Sequence, residues 1–312
     1  MECSNDELRF AKAIEDVAPP PHDILFGLTN SCNHRCIFCQ YRRAIPKPTH
    51  LSIEKVIDCL KQAYELGVRE CGFGLIDEPF MSEILEDCIL QAKKIGFEYV
   101  WFNTNGALAI KSRMEKLFIN GLNSIKFSIG AGIAETYKKI HGKNDFDKVI
   151  QNVKDCSVLR KQINPNAKIF VSFAENSMNK SEGVILENLL RDFVDKIYIV
   201  KAVNQGGGMY DEVNNGIVYK EEKLWSRYKI INTICPYPFK RINITAHGYL
   251  SACCVDMKNE LIVADLNKIS LAEAWNSEKM QRIRTYLLNN NMPQNVKCYN
   301  CINNTNHEIL PI

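Results

Sequence analysis

The chain has 312 residues, of which 46% are hydrophobic, 9% aromatic and 24% charged; these ordinary globular fractions exclude a disordered, collagen-like or coiled-coil chain. Thirty-nine basic residues against 36 acidic ones leave a net charge of +3, too balanced for a nucleic-acid footprint. The longest apolar runs, such as Ile24–Leu28, are far too short to span a bilayer, and the opening MECSNDELRF carries acids where a secretory signal is apolar, so no membrane association and a cytoplasmic location are expected. The thirteen cysteines are too few for a disulfide scaffold. In a reducing compartment, clustered cysteines more often bind metal or do chemistry.

Asp23–Leu28 reads as a first strand entering a polar loop that carries Cys32, Cys36 and Cys39. Ser52 is placed to cap a helix with Ile53, Val56, Ile57, Leu60, Ala63 and Tyr64 on one face, stopped by Gly67. Val68–Leu75 is a second strand, followed by a helix that turns Ile84, Leu85, Cys88, Ile89 and Ala92 inward and ends at Gly96. Tyr99–Asn103 is the third strand, Ala109–Ile119 the third helix and Ser124–Ile129 the fourth strand. Two helical stretches follow, the longer over Phe146–Leu159. Ile169–Ala174 and Ile197–Val200 are strands five and six, flanking a helix over Glu182–Phe193.

Six βα repeats imply an α/β fold with a parallel sheet and right-handed crossovers. An open doubly wound sheet and a partial barrel fit the periodicity equally, and both place chemistry at the C-terminal ends of the strands. The segment 204–215, with Gly206, Gly207 and Gly208, reads as a linker. Beyond it the sequence becomes rich in cysteine, turn residues and short strands. The expected organisation is an N-terminal extension over 1–21, a core over 22–203, a linker over 204–229 and a small cysteine-rich domain over 230–312.

Cys32, Cys36 and Cys39 follow a C-x3-C-x2-C spacing on one short loop. Three thiolates leave one position open on a four-iron cluster, whereas a closed zinc site needs a fourth ligand, for which His34 is available. This cysteine pattern, with Phe38 just before its last member, resembles the signature of radical S-adenosylmethionine enzymes. Asp77-Glu78-Pro79 after strand two resembles that family's Gly-Gly-Glu-Pro segment, with Ile76 and Asp77 in place of the two glycines. Asn103-Thr104-Asn105-Gly106 resembles its Thr-Asn-Gly turn, and Ser128 closes strand four; as plain turn chemistry each would be unremarked. The resemblance spans roughly residues 22–200 and implies a six-repeat (β/α)6 partial barrel. It implies a [4Fe–4S] cluster on Cys32, Cys36 and Cys39, and S-adenosylmethionine held by Phe38, Asp77, Glu78, Pro79, Asn105 and Ser128. The activity it implies is generation of a 5′-deoxyadenosyl radical that removes a substrate hydrogen atom, fed by a flavodoxin- or ferredoxin-type electron donor.

Farther on, Cys235 is followed by Gly248, the adjacent pair Cys253 and Cys254, and Cys298-x2-Cys301. This run, over about 230–305, resembles the C-terminal SPASM or twitch auxiliary-cluster domain of such enzymes. A full SPASM domain continues with further cysteines; here His307 stands instead and no cysteine follows. The resemblance therefore implies one auxiliary [4Fe–4S] cluster on Cys235, Cys253, Cys298 and Cys301, with Cys254 as an alternative ligand and His307 as a candidate for a second centre. Cys254 is also a candidate hydrogen-atom donor, because an S–H bond is weaker than most C–H bonds. The alternative for this region is a structural zinc knuckle.

Cys88 and Cys156 fall on apolar helix faces and Cys59 beside one; Cys71 lies in strand two and Cys3 near the N-terminus. With about twenty residues before strand one, a small polyol-type substrate (a sugar or aminocyclitol) is expected, with dehydrogenation or epimerisation as the outcome. Maturation of a ribosomal peptide is the alternative within the class. A non-catalytic zinc-binding interaction protein is the alternative outside it.

Overall fold

The computed structural model describes residues 19–42, 46–202 and 235–303, together with 204, 205, 208, 209, 211, 215–217, 305, 307 and 308. Cys3 and most of the expected linker lie outside the described residues. One sheet runs through the molecule in the order β6-β5-β4-β3-β2-β1-β7-β8-β9. Its first six strands are β1 (Asp23–Phe26), β2 (Glu70–Phe73), β3 (Tyr99–Thr104), β4 (Ser124–Ser128), β5 (Lys168–Glu175) and β6 (Lys196–Lys201), all parallel. Between them lie α1 (Ile53–Glu65), α2 (Leu85–Ile95), α3 (Lys111–Ile119), α4 (Ala134–His141), α5 (Phe146–Ile163) and α6 (Gly183–Leu190). A doubly wound sheet reverses its strand order and carries helices on both faces. From β1 to β6 this order never reverses, so right-handed crossovers keep the helices on one face and the sheet curls into a partial barrel.

Local chemistry sets the element limits. Ser52 caps α1 by accepting the Lys55 N–H at 3.2 Å, and α2 stops at Gly96, whose φ of 116° suits a residue without Cβ. β2 is shorter than the sequence implies because Asp77 Oδ1 takes the Leu75 N–H at 2.8 Å, removing that residue from the ladder. In α1 the core takes Cys59, while Ile57 is only half-buried. Cys71, Cys88 and Cys156 are fully buried among the core side chains.

The two faces of the strands differ. On β4, Ile125 and Phe127 are fully buried against the helical layer, while Lys126 and Ser128 alternate onto the barrel interior. On β3, Val100 and Phe102 face the helices, with Trp101 and Asn103 inside. A Cβ at Gly72 would lie 2.5 Å from the Trp101 ring, so that indole lies inside the barrel only because β2 carries glycine opposite it.

In the C-terminal part, α7 (Tyr237–Lys240) leads into β7 (Arg241–Ile244), which pairs in parallel with β1 in the register Asp23↔Arg241. β8 (Tyr249–Ser251) and β9 (Ile262–Asp265) continue the sheet antiparallel, with α8 (Leu271–Trp275), α9 (Glu278–Leu288) and α10 (Lys297–Asn303) packed beside them. Among the described residues no helix is long and apolar enough to cross a membrane.

Candidate active site

The loop after β1 is docked on the C-terminal end of α4. Arg35 N–H donates to the His141 carbonyl at 3.1 Å and Ile37 N–H to that of Ile140 at 2.9 Å. The Arg35 guanidinium donates to the carbonyls of Cys32 (2.8 Å) and His34 (2.7 Å), which folds the loop back on itself. Cys36 Sγ lies 3.2 Å from His141 Nδ1. The other ring nitrogen, Nε2, accepts the Gly130 N–H at 3.0 Å. Burial, with His34 nearby, holds the His141 imidazole neutral, down to about 3. Its single proton is therefore on Nδ1, aimed at the Cys36 sulfur. The ring is clamped by Tyr137, stacked at 4.2 Å, and by the edge of Phe38 at 6.0 Å. His34, offered by the sequence as a zinc ligand, turns Nε2 to Asp145 at 3.3 Å. His34, Cys36 and His141 nevertheless present donor atoms within 4.8 Å of one another.

Asp77, Glu78 and Pro79 leave β2 beside this loop. Glu78 is fully engaged: Oε1 accepts from the Thr104 hydroxyl (2.6 Å) and Phe80 N–H (3.2 Å), and Oε2 from Asn105 N–H (2.7 Å). Its own N–H donates to the Ser31 carbonyl at 3.0 Å. Glu78 thus braces the cysteine loop against the turn after β3. Burial pushes its carboxyl up to about 7 although these donors oppose the shift, and burial raises Asp77 to about 7 as well. Asp77 Oδ2 is buried without a partner among the described residues. Asn105 Nδ2 donates to Asn33 Oδ1 at 2.7 Å and lies 3.9 Å from Cys32 Sγ. Ser128 lies across from Ser172, oxygen to oxygen 3.4 Å. Replacing Glu78 by Gln should cost about 1–3 kcal/mol, because the amide NH2 opposes one of the three donors and leaves it buried and unsatisfied. Urea unfolding of the metal-free protein measures this.

In the C-terminal segment, Cys253 and Cys235 both act electrostatically on Cys298, burial pushes the Cys298 thiol up, and the Cys254 hydrogen bond together with burial does the same to Cys253. Cys254 hydrogen-bonds with Cys253, and this bond, aided by Arg241, holds its thiol below the usual range against the effect of burial. The loop after it is pinned by Asp256, whose carboxylate accepts the N–H groups of Glu260 (3.0 Å) and Leu261 (2.8 Å) and meets the Lys297 ammonium at 3.3 Å. Gln40, next to Cys39, donates to the Val255 carbonyl at 3.1 Å and so joins the two cysteine segments directly. Cys301 offers its carbonyl to Asn204 at 3.2 Å, and His307 packs its ring on Tyr299 at 5.4 Å.

The donor sets suit clusters. Burial pushes the loop thiols up, Cys32 to about 12, so a bound cation is needed to draw thiolates from them. Residues 27–163 match the Radical SAM superfamily, and residues 235–302 match SPASM, an iron-sulfur cluster-binding domain. The chain belongs to the radical SAM superfamily. Its cofactors are accordingly a [4Fe–4S] cluster, an auxiliary cluster and S-adenosylmethionine. This radical SAM protein is 25% identical over 260 residues to a probable GTP 3′,8-cyclase of Saccharolobus solfataricus, covering 83% of this chain and 82% of that one. It is also 25% identical over 284 residues to one of Sulfurisphaera tokodaii, covering 83% and 87%. Among solved structures, its fold is shared by BtrN in complex with AdoMet and 2-DOIA (TM-score 0.58, 14% identity, 92% of this chain and 94% of that one). Streptococcus suis SuiB bound to precursor peptide SuiA shares it too (TM-score 0.69, 13% identity, 96% and 73%).

Several residues of this radical SAM site carry no sequence signal. His141 is one histidine at a helix end, Lys126 reads as the polar member of an alternating strand, and Arg241 precedes an unremarkable run. Only the fold brings them to the cysteine loop or the barrel interior.

Proposed function

We propose that this radical SAM enzyme removes a hydrogen atom from a small polyol-type metabolite inside the barrel, with dehydrogenation or epimerisation as the outcome. The observation that carries this reading is the polar inner face beneath the cysteine loop. Ser128 and Ser172 lie side by side there, and Asn103 is paired in register with Lys126 one step below. Such a face offers hydroxyl and amide partners to a hydroxylated substrate. The relatives named as GTP 3′,8-cyclases act, by that name, at a sugar carbon of a nucleotide, which agrees with a hydroxylated substrate.

In this reading Cys32, Cys36 and Cys39 hold the radical cluster, and Cys235, Cys253, Cys298 and Cys301 hold the auxiliary one. The radical cluster with S-adenosylmethionine supplies a 5′-deoxyadenosyl radical. Phe38, Asp77, Pro79, Asn105 and Ser128 line the cofactor, and Glu78 positions the turn that carries Asn105. A flavodoxin- or ferredoxin-type donor provides electrons, and the cytoplasm is where we place the protein.

Cys254 lies beside Arg241, whose guanidinium in turn faces Trp101 and Lys126. This proximity supports a donor role: in this reading the thiol returns a hydrogen atom to a product radical from the barrel side and is left as a thiyl, which an electron from the donor protein and a proton restore to the thiol. Once Cys253 is a ligand, its hydrogen bond to Cys254 is lost and Cys254 keeps its S–H. Anaerobically reconstituted protein should be brown and release 5′-deoxyadenosine when reduced with S-adenosylmethionine. Colourless, zinc-loaded, inert protein would refute the reading. Cys254→Ala should retain cleavage and lose conversion of substrate to an epimerised product, and normal product formation by that variant rules the donor role out.

A further inference from the structure

The barrel interior contains a charge that the fold does not balance. Lys126 stands on the inner face of β4, between Ile125 and Phe127, which point into the helical layer. Its β3 partner in register is Asn103, also on the inner face. Among the described residues, neither the Lys126 ammonium nor the Asn103 amide has a hydrogen-bond or ion-pair partner. Among the described residues no carboxylate favours the charged form of Lys126, while burial and the Arg241 guanidinium both disfavour it. Arg241 itself is taken up by Asp23, with Nε at 2.6 Å from the carboxylate, and it lies by the rings of Trp101 (5.8 Å) and Tyr237 (5.4 Å). Asp23 thus balances Arg241, and the Lys126 charge stays uncompensated in a half-buried space.

Burying an ammonium without an acceptor works against folding. Other enclosed cations have acceptors: Lys297 has Asp256 and Glu260, Arg113 has Glu86, and Arg284 donates to the carbonyls of Pro238 and Trp275. Lys126 and Asn103 by contrast are adjacent polar groups on the inner face without protein partners among the described residues, and the interior they face is the space where the substrate is placed above.

We propose that the strip formed by Asn103 and Lys126, faced by Arg241, binds an anionic group of the substrate, a carboxylate or a phosphate. The ammonium supplies charge and up to three donors, and the Asn103 amide supplies a neutral donor beside it. The anion supplies the countercharge that Lys126 lacks and fixes the rest of the substrate toward Ser128 and the cysteine loop. This inference rests on the reading that hydrogen abstraction takes place inside the barrel.

Calorimetric titration of anaerobically reconstituted protein with bound S-adenosylmethionine tests it, using citrate as the carboxylate probe and tripolyphosphate as the phosphate probe. One of the two should bind at a single site, and whichever binds identifies the class of anion. K126Q should weaken that binding at least about tenfold, the loss of one charge-assisted contact, and N103A should weaken it several-fold. K61Q, on the exposed face of α1, serves as the surface control and should bind as the wild type does. Because Lys126 makes no native contact, K126Q should melt at or above the wild-type temperature. Binding of neither probe, equal binding by K126Q, or a K126Q protein that melts well below wild type overturns the proposal. Reductive cleavage of S-adenosylmethionine by the wild type is scored separately. Cleavage without anion binding removes this subsite alone, whereas absence of cleavage removes the functional reading and the assignment of the strip to a substrate with it.

Discussion

Cys36→Ala should abolish release of 5′-deoxyadenosine to below detection while leaving the auxiliary cluster loaded. Cys36 is the middle cysteine of the loop and the one whose sulfur receives the His141 Nδ1–H. With that thiol gone, two cysteines remain on the loop, and no other thiol lies there to replace it. The auxiliary cysteines belong to a different segment, from Cys235 onward, and keep their own iron. Iron and sulfide analysis should therefore show loss of one cluster, and the reduced protein should lose one of two paramagnetic signals. Retention of full iron and of cleavage would remove Cys36 from the ligand set.

The same geometry yields a graded companion. His141→Leu keeps a buried side chain of fitting shape but removes the N–H from the sulfur. Hydrogen bonds to cluster sulfurs stabilise the reduced, more negative form, so the variant should hold its iron and show a more negative reduction potential. Potentiometric titration followed by paramagnetic resonance reads this directly. An unchanged potential would mean that the Nδ1–H does not act on the cluster.

Asp256→Ala should destabilise the protein by about 3–5 kcal/mol, because it strips the Glu260 and Leu261 amides of their acceptor and leaves Lys297 with Glu260 alone. Its carboxylate has no exposed surface, and the Lys297 side chain is 5% exposed. Burial works against the Lys297 ammonium, but Asp256 and Glu260 outweigh it and keep its pKa above the usual range. Asp256 also holds the Glu260 and Leu261 amides, so the loop that carries Cys253 and Cys254 loses its anchor together with the charge. Replacing both partners, Asp256→Leu with Lys297→Met, should recover the part of the loss due to the under-paired ammonium, since the Glu260 carboxylate that remains is partly exposed to water. Denaturant unfolding of the single and double variants decides it; additive losses would show that the pair is not coupled.

Much of the fold was legible because its signals are local. Ser52 three residues before Lys55, Gly96 after an amphipathic run and the alternation of β3 and β4 each follow from short-range sterics and hydrogen bonding. The cysteines of the first loop stood out by their spacing, and the family resemblance, not the spacing, turned them into an expected cluster site. Glu78 was legible as a residue of the site but not in its manner of action. Its carboxylate turned out to be occupied by Thr104, Asn105 and Phe80, a set of partners that depends on β2 and β3 being neighbours. His141 lies 105 residues from Cys36, and Lys297 lies 41 from Asp256; no periodicity spans such distances. Lys126 gave no signal for a physical reason: an alternating strand normally turns its lysine to solvent, but here the opposite face is covered by helices and the lysine is half-enclosed.

The parallel pairing of β1 with β7 has a consequence for how the protein is made. Asp23 and Arg241 are 218 residues apart in the chain, so at about 5–20 residues per second β1 waits roughly 10–45 s on the ribosome for its neighbour. Throughout that interval its outer row of N–H and C=O groups is an unpaired sheet edge, the kind of surface that recruits strands from other chains. A protein cut after residue 203 would keep that edge open permanently. It should therefore aggregate on expression even though it carries all six repeats of the radical core, and nascent full-length chains should depend on a holdase until the last quarter of the sequence has emerged.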